Sequence, residues 1–326
     1  MARRRGLWRE DSLAQARLCQ VRRLKDLESV LYDMKCLQHL DLNLPVYEIY
    51  RDCCDDEARE LLWKHNLRHD VTVMPPLLLG EEFVKTLGHY HLPFGEAGSH
   101  AEIFEVLEGE AEFLVQKQCG EEVDDVTLLI AREGEKVLVP PGRGHVMINA
   151  SPRRLVVRHL VSRSCVETSD QYVKRRGAAF YVLTKGRLVS NLSYSSVPEV
   201  RALRTETPPF LERESGLVEI FLKDPNRLAL LNESSRSTEW DQLDGLISHG
   251  SAVPSVVLSG GRGSGLRPVI YHLPKAMLPA GQSQSPPLEY VLQLLGSRNF
   301  LIFLNTFLAT YAALMLLTLI SMVKYS

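Results

Sequence analysis

The sequence lacks the features that mark several classes of protein. Its six cysteines include no Cys-x-x-Cys pair and no framework spacing, so disulfides are not expected and a reducing compartment is favoured. Its 38 basic and 40 acidic residues nearly balance and are spread along the chain, which argues against nucleic-acid binding. No apolar segment follows the arginines at positions 3–5, so a secretory signal is not expected either. These absences together predict a cytoplasmic protein.

One long hydrophobic run stands out against this background. The 24 residues 300–323, FLIFLNTFLATYAALMLLTLISMV, carry no charge, with Arg298 before them and Lys324 after them. An uncharged helix of this length can cross about 30 Å of hydrocarbon. The run predicts a C-terminal transmembrane helix that could contact or anchor the chain to a membrane. The alternative is a buried core helix.

Most of the remaining chain has the pattern of a β protein. Between residues 70 and 165, short apolar runs alternate with turns of Gly, Pro, Asn or charged pairs, which is typical of a sandwich or barrel. FEVLEGEAEFLVQ predicts a hairpin turning at Glu108-Gly109, and FYVLTKGRLVS predicts another at Lys185-Gly186. Residues 10–40 have helical spacing, PVYEIYRD predicts a strand and ARELLWKHN a short helix. From about 195 to 250, Pro, Ser, Thr and charged residues predict a linker-like extension with one helical patch.

The stretch KTLGHYHLPFGEAGSHAEIFEVLEG contains a candidate metal site. His89 and His91 lie two residues apart, so on a strand both imidazoles point to the same face. Glu102 would face the same hollow if the neighbouring strands pair, with His100 as its rival. His145, after a Pro-Pro-Gly turn, supplies a further ligand. Three histidines and one glutamate favour one divalent ion such as Fe, Mn, Ni or Zn, with open positions for chemistry.

A simpler interpretation of each of these residues remains open. His89 and His91 could be surface histidines and Glu102 a cap. His65, His69 and His159 have no comparable context, and we expect them to be surface or core histidines.

These motifs resemble a known family. The His-x-His…Glu string and the VPPGRGHVMIN string approximate the two cupin motifs, and KTLGHYH is more selective than either. Over about residues 20–190, with VRRLKDLESVLYD and PVYEIY upstream, the chain is similar to the cupin-type glucose-6-phosphate isomerases known mainly from archaea. The resemblance implies a metal-dependent aldose-ketose isomerase that interconverts glucose 6-phosphate and fructose 6-phosphate.

The resemblance also implies roles for individual residues. His89, His91, Glu102 and His145 match the metal-binding set, and Glu102 matches the residue that moves the proton between C1 and C2. The sugar-phosphate pocket is matched by Tyr47, Thr72, Thr86 and Gly88, and Lys85 is a candidate helper for the phosphate.

The chain also departs from the family pattern. The ten residues between His91 and Glu102 are more than the family usually has. Phe104 stands where the family often has tyrosine, and Val161 or a neighbour replaces another tyrosine. These departures bear on turnover more than on fold.

A second, shorter resemblance lies near the C-terminus. Residues 253–290 contain a glycine-rich loop followed by PKAMLP, and resemble the truncated start of a sugar-phosphate nucleotidyltransferase. Gly265 replaces that family's phosphate-binding arginine, and too few residues follow for the domain that such an enzyme needs. We expect a remnant without nucleotidyl transfer.

The sequence therefore predicts a mainly β fold: a cupin double-stranded β-helix barrel with an N-terminal helical arm, an irregular α/β extension and a C-terminal hydrophobic helix. The predicted divisions are an arm (1–45), the cupin isomerase domain (46–192), a linker-like extension (193–250), the nucleotidyltransferase-like segment (251–297) and the tail (298–326). We expect a homodimer acting on a small sugar phosphate. Two other functions stay open: a non-catalytic sugar-phosphate-binding cupin, acting as a sensor or scaffold, and a cupin dioxygenase.

Overall fold

The computed structural model describes residues 17–92, 99–208, 210–233 and 251–252, all within the unit Met1–Gly260. The strands are β1 (Arg17–Arg23), β2 (Pro45–Arg51), β3 (Leu67–Met74), β4 (Leu78–Leu79), β5 (Glu82–Phe83), β6 (Tyr90–Leu92), β7 (Glu102–Glu108), β8 (Glu110–Cys119), β9 (Glu122–Arg132), β10 (Lys136–Val139), β11 (Arg143–Ile148), β12 (Leu155–Ser162), β13 (Val166–Thr168), β14 (Phe180–Leu183), β15 (Arg187–Ser190), β16 (Arg201–Arg204) and β17 (Ser251–Ala252). The helices are α1 (Leu24–Leu27), α2 (Asp56–Lys64), α3 (Asp170–Lys174) and α4 (Leu217–Lys223), with 3-10 turns at Glu28–Val30, Met34–Gln38 and Pro225–Asn232. The prediction of a mainly β chain is confirmed.

Two larger sheets enclose the main apolar core. One has the order β1-β2-β3-β12-β7-β10 and the other β11-β8-β9-β16-β17, while β13-β6 and β15-β14-β5-β4 form smaller sheets. Phe104 on β7 and Phe113 on β8 meet across the core, with their ring centroids 4.9 Å apart. Burial of such aromatic rings from facing sheets supplies much of the favourable free energy of folding.

The predicted hairpin at Glu108-Gly109 is wrong. β7 pairs with β12 and β10, whereas β8 pairs with β9 and β11 in the other sheet. Gly109 has φ +90°, and a Cβ there would lie 2.8 Å from the Arg154 carbonyl oxygen, so glycine lets the chain turn sharply from one sheet to the other. The second predicted hairpin is confirmed: β14 pairs with β15 around Lys185 and Gly186, which both have positive φ.

The N-terminal segment differs from the predicted helical arm. Residues 17–23 form β1, which pairs antiparallel with β2, and helix begins only at Leu24. The apolar residues of this segment have helical spacing, but intrinsic helix propensity is weak, and the pairing of β1 with β2 outweighs it. The helix predicted at ARELLWKHN is confirmed as α2.

Residues 201–232 pack onto the sheets, in contrast to the predicted linker. β16 runs parallel to β9 and extends the five-stranded sheet. Leu217, Ile220 and Phe221 of α4 are buried in a second apolar cluster. Glu105 on β7 accepts a hydrogen bond from the first main-chain N–H of α4 at 2.9 Å, which ties the helix to the six-stranded sheet. The one helical patch predicted in this extension is confirmed as α4.

Among the described ranges, no helix combines the length and apolarity that a membrane span requires. The prediction of a transmembrane helix is therefore withdrawn, together with the membrane anchor and membrane contact that it implied. Residues 300–323 themselves lie outside the described residues, as does the nucleotidyltransferase-like segment 253–290. The predicted domain boundaries stay a prediction.

Candidate metal centre

The backbone brings the predicted ligands together from separate strands. His91 lies on β6, Glu102 begins β7 and His145 lies on β11. His89 precedes β6 and exchanges two main-chain hydrogen bonds with His145, of 3.2 and 3.1 Å. β6 itself pairs with β13 rather than with β7, so the hairpin pairing considered for Glu102 is not the route by which the residues meet.

Three imidazole nitrogens surround one carboxylate oxygen. The distances to Glu102 Oε2 are 3.6 Å from His89 Nε2, 3.2 Å from His91 Nε2 and 3.4 Å from His145 Nε2. Ligand atoms of His89, Glu102 and His145 all lie within 4.8 Å of one another. Donor atoms at such separations can share one ion at about 2.0–2.2 Å from each. This histidine–glutamate group could therefore hold a metal.

The hydrogen bonding of these atoms supports the fit to a metal. His89 Nε2, His91 Nε2 and Glu102 Oε2 are buried, and none has a hydrogen-bond partner among the described residues. Buried polar atoms without partners are costly and call for an explanation, for which a bound cation is suitable. The donor set of imidazole and carboxylate suits a divalent first-row metal without choosing among them.

The tautomer of His91 follows from its other ring nitrogen. His91 Nδ1 lies 2.7 Å from the main-chain oxygen of His100. A carbonyl oxygen can only accept, so Nδ1 carries the proton and neutral His91 has a free lone pair on Nε2. His100, the rival of Glu102 in the sequence, therefore contributes to the centre through its carbonyl group. Burial lowers the pKa of the His100 ring.

His159 is a member of the site that sequence reasoning missed. Its Nδ1 lies 2.6 Å from Glu102 Oε1, and its ring stacks on Phe104 with centroids 5.5 Å apart. Burial works to raise the pKa of Glu102, but the hydrogen bond from His159 and the nearby imidazoles of His89 and His91 outweigh it and hold the pKa well below its usual value. The pKa of His159 is raised, because its bond to Glu102 outweighs its burial. Glu102 is therefore ionised at neutral pH.

A signal for His159 exists in the sequence. In LVVRHLVS the residues Val157, His159 and Val161 lie on one face of β12, so His159 is a polar residue on an apolar, inward face. A buried polar residue in such a place requires a partner. Which partner it finds depends on the register of β12 against β7, a non-local feature.

The residues predicted to bind the sugar phosphate lie within the segment that leads to His89, in contact with it, or beside His159. Thr72 Oγ1 lies 3.4 Å from His159 Nε2, and Thr86 Oγ1 accepts a 3.0 Å hydrogen bond from Met147 N. The Tyr47 hydroxyl accepts a 3.3 Å bond from Leu87 N, and Gly88, with φ +82°, accepts one from Ser169 Oγ through its carbonyl. The four residues therefore lie near the candidate metal centre, and their role in binding the sugar phosphate stays a prediction.

Lys85 is not available to a phosphate. Its Nζ forms a buried ion pair with Glu82 at 2.5 Å and donates to the carbonyl of Val30 at 2.7 Å. Removing one charge from such a buried pair would leave the other without compensation. The prediction of Lys85 as a phosphate helper is therefore withdrawn.

His69 is a buried histidine whose ring nitrogens form no hydrogen bond in the part of the chain that the structure describes. Its side chain is inaccessible to solvent, and neither Nδ1 nor Nε2 has a hydrogen-bond partner among the described residues. Burial, and then the charge of Arg158, hold the pKa of His69 well below its usual 6.5. The expectation of a core or surface histidine fits this position.

The low pKa of His69 predicts a loss of stability in acid. As the pH falls below 6.5, the unfolded chain binds a proton at His69 that the folded chain does not, so the free energy of unfolding decreases by up to about 1.4 kcal/mol per pH unit. The loss ends only when the pH reaches the folded-state pKa. In His69→Leu we expect this contribution to vanish, so that urea unfolding at pH 5.5 and pH 8 differs by about 1 kcal/mol less than in the wild type.

The comparison at pH 8 is its own control, because His69 is then neutral in both states and any difference reflects packing alone. Equal pH dependence in the two proteins would contradict the prediction.

The fold and the centre define the class of the protein: a two-sheet β protein with a candidate metal centre of histidines and a glutamate. The model of the family "Glucose-6-phosphate isomerase (GPI)" matches residues 21–199, more than half of the chain. The chain belongs to this family. The prediction of a cupin-type glucose-6-phosphate isomerase, and with it the predicted class of enzyme, is confirmed.

Curated relatives of modest sequence identity are named as members of the same family. The glucose-6-phosphate isomerase of Thermococcus gammatolerans is 28% identical over 181 residues, which cover 54% of this chain and 87% of the relative. The glucose-6-phosphate isomerase of Pyrococcus furiosus is 31% identical over 131 residues, covering 40% of this chain and 62% of the relative. Among solved structures, an oxalate decarboxylase from Bacillus subtilis aligns with a TM-score of 0.28 at 14% identity, over 38% of this chain and 27% of that one. A score this low supports no inference.

Proposed function

We propose that the chain is a metal-dependent aldose-ketose isomerase that interconverts glucose 6-phosphate and fructose 6-phosphate. In this proposal His89, His91, Glu102 and His145 hold one divalent ion, whose identity among Fe, Mn, Ni and Zn is open. The two larger sheets form the cupin double-stranded β-helix barrel around it. The expected homodimer and cytoplasmic location are part of the same proposal.

One observation carries the proposal. Three imidazole nitrogens from two strands and a preceding loop lie 3.2–3.6 Å from a single buried oxygen of Glu102. A group of this kind inside a member of an isomerase family is best explained as the reaction centre.

The residues of the chain would divide the chemistry between them. A divalent ion would stabilise the negative charge that develops on the sugar oxygens. The ionised Glu102 would take the proton from C2 of glucose 6-phosphate and return it to C1, and the reverse from fructose 6-phosphate. His159, bound to Glu102 Oε1 at 2.6 Å, would fix the carboxylate so that Oε2 faces the three imidazole nitrogens and the ion that they would hold.

The sugar-phosphate pocket would be lined by Tyr47, Thr72, Thr86 and Gly88. Three of these offer hydroxyl groups, which can bind sugar and phosphate oxygens without a full charge. Gly88 leaves room beside His89, since a Cβ there would lie 2.7 Å from Val146 Cγ2.

Metal removal tests the proposal. The protein is loaded separately with Fe, Mn, Ni and Zn, and glucose 6-phosphate formed from fructose 6-phosphate is measured through a coupled dehydrogenase. We expect at least one metal to raise the rate at least about tenfold, chelation to reverse the gain and re-addition to restore it. Activity that chelation leaves unchanged would exclude the mechanism, and so would folded, metal-bound protein that is inactive with all four.

A second candidate is a cupin that binds a sugar phosphate without turning it over. Phe104 and Val161 line the inner face next to His159 and Glu102, and neither offers a hydroxyl group to the substrate. Metal-loaded protein that binds fructose 6-phosphate but does not isomerise it would favour this function. The dioxygenase alternative has no specific observation in its favour.

A further inference from the structure

A segment that follows the family match covers the back of the candidate metal centre. The match ends at residue 199, and residues 210–232, the outer segment, pack against the six-stranded sheet. Ala101 and Ile103 flank Glu102, and because side chains alternate along a strand they point away from the centre. Both are fully buried in the apolar cluster that the outer segment completes.

The outer segment fills this cluster with several apolar side chains. Its buried members are Leu211, Leu217, Ile220, Phe221, Leu228 and Leu231. On the sheet side the cluster includes Leu160, which directly follows His159 on β12. The strands that carry Glu102 and His159 are therefore packed from behind by residues beyond the family match. Close-packed interiors transmit small displacements, so this contact can affect the centre.

The last residue of the outer segment is hydrogen-bonded to the sheet. Asn232 Oδ1 accepts hydrogen bonds from Asn66 Nδ2 at 3.0 Å and from Ser162 Oγ at 2.9 Å. Asn232 Nδ2 donates to the main-chain oxygen of His65 at 2.8 Å. Asn66 directly precedes β3, and Ser162 ends β12, three residues after His159. The Asn232 amide group thus holds the end of the strand that supplies His159.

A buried carboxylate on the outer face of β7 makes a second connection. Glu105 Oε2 accepts hydrogen bonds from Leu217 N at 2.9 Å and from Arg158 Nη1 at 3.2 Å. Lys136 Nζ lies 3.9 Å from Glu105 Oε1 and donates to the main-chain oxygen of Arg213 at 3.2 Å. Buried charges persist in a fold when such partners surround them. Residues 213–217 are thereby attached to β7 and β10.

The outer segment also reaches the residue that sets the tautomer of His91. The His100 carbonyl accepts the hydrogen bond from His91 Nδ1 at 2.7 Å, and the main chain of Leu231 lies beside the His100 ring. His100 directly precedes Ala101, so residues 100–103 lie between the metal centre and the outer segment. This short stretch contains one proposed ligand and the acceptor that orients another.

We propose that the outer segment is a positioning element of the metal centre: it packs behind residues 100–103 and holds the end of β12, and so sets the positions of Glu102, His159 and His91. The inference rests on the proposed function for its effect on turnover, whereas metal binding reports on it directly. The connection from His91 to Glu102 is longer than the family usually has. A longer connection restrains its ends less, and packing from behind supplies the missing restraint.

The first test removes the amide clamp and leaves the apolar packing in place. Full-chain Asn232→Ala is compared with the wild type for Zn(II) affinity, by competition with a chelating dye, and for the absorption bands of bound Ni(II). We expect the Zn(II) Kd to rise about tenfold and the Ni(II) bands to shift, because the ligands lose their fixed geometry. At saturating metal, kcat for fructose 6-phosphate should fall about tenfold, with KM within about twofold of the wild type.

Asn149→Ala is the matched control. The Asn149 amide also makes three hydrogen bonds, to the main-chain oxygens of Met74, Pro75 and Arg153 at 2.9–3.3 Å. It lies in the connection between β11 and β12, at the opposite end of β12 from Ser162. Because Asn149 is almost fully buried, we expect its replacement to lower the melting temperature at least as much. The Zn(II) Kd and the Ni(II) spectrum should nevertheless keep their wild-type values.

A second pair of variants tests the apolar packing separately. Leu231→Ala removes a fully buried side chain from the cluster behind Ala101 and Ile103, and Leu27→Ala removes the same atoms from the main core. Both should lower the melting temperature. Only Leu231→Ala should raise the Zn(II) Kd about tenfold and shift the Ni(II) bands. Circular dichroism of every variant shows that it is folded.

The outcomes separate this inference from the proposed function. Folded Asn232→Ala and Leu231→Ala proteins with wild-type Zn(II) affinity and Ni(II) spectra would show that the outer segment only stabilises the fold, which overturns the inference. Equal weakening in Asn149→Ala and Leu27→Ala would also overturn it. Metal binding that depends on the outer segment in a protein without isomerase activity would support the inference while removing the proposed function. A wild-type chain that binds neither ion would overturn both.

Discussion

Glu102→Gln is expected to lower kcat for isomerisation about a thousandfold, which is the usual size of a general-base contribution. Glutamine keeps the shape of the side chain and one oxygen atom that can bind a metal ion, but it cannot accept a proton from carbon. It also cannot keep the charge that stabilises the raised pKa of His159. KM for fructose 6-phosphate should change much less, because Glu102 acts on the reacting carbon atoms, whereas the proposed sugar-phosphate pocket is made by other residues. Steady-state kinetics on metal-loaded protein measure both quantities.

The control for Glu102→Gln lies on the same strand. Glu108, the last residue of β7, pairs with Arg154 at 2.7 Å and is outside the histidine cluster, so Glu108→Gln should retain nearly full activity. Metal content must be measured in both variants, because Glu102 is also a proposed ligand. A Glu102→Gln enzyme that holds its metal and works within about tenfold of the wild type would exclude Glu102 as the base.

Local patterns predicted a large part of the candidate site. His89 and His91 share a face because of the two-residue period of a strand, and His145 follows a turn of Pro140, Pro141 and Gly142 that the chain marks clearly. Whether these groups converge depends on which strands pair. The sequence pattern of KTLGHYH predicted the family and, through it, the ligand set, while the structure supplied the 3.2–3.6 Å separations around Glu102 Oε2.

What the sequence did not predict was non-local. Glu108-Gly109 has the signature of a hairpin, but the same glycine freedom serves a corner between two sheets, and only the pairing of β7 with β12 distinguishes them. His159 was missed for the same reason. It is a polar residue in a strand with no motif around it, and it reaches Glu102 because β12 lies in register with β7.

The register also explains how the site departs from its family. Phe104 is opposite His159 and stacks on it, so the position that the family often gives to tyrosine contributes a surface for the imidazole ring instead of a hydroxyl group. Val161 lies directly opposite Glu102 and is fully buried, so this position adds an apolar side chain to the same inner face. Phe104 and Val161, two positions at which the sequence was expected to depart from the family pattern, therefore lie on the same inner face as the candidate metal centre.

Gly144→Ala should disrupt the candidate metal centre indirectly, because Gly144 packs next to the ligand His145 and is not itself a proposed ligand. Gly144 precedes His145 on β11 and is buried against two stacked aromatic rings; a Cβ there would lie 2.5 Å from Tyr90 Cε1 and 2.6 Å from the Tyr172 hydroxyl. Real Cβ atoms do not approach other atoms so closely, and the buried Tyr90 ring, stacked on Tyr172 and hydrogen-bonded to Gln116, has little room to shift. We expect a loss of about 3 kcal/mol in the free energy of unfolding, with metal affinity reduced at least about tenfold.

Gly120→Ala isolates this clash from the general cost of replacing a glycine. A Cβ at Gly120 would meet nothing within 4 Å, so its only cost is the strain of a backbone with φ +61°, about 1 kcal/mol. Chemical unfolding and metal titration of the two variants give the comparison directly. If Gly144→Ala unfolded at the same denaturant concentration as Gly120→Ala and bound metal as tightly, the close packing of β11 on Tyr90 could not be what positions His145 beside Glu102. The convergence of the histidines would then have to depend on the main-chain bonds between His89 and His145 alone.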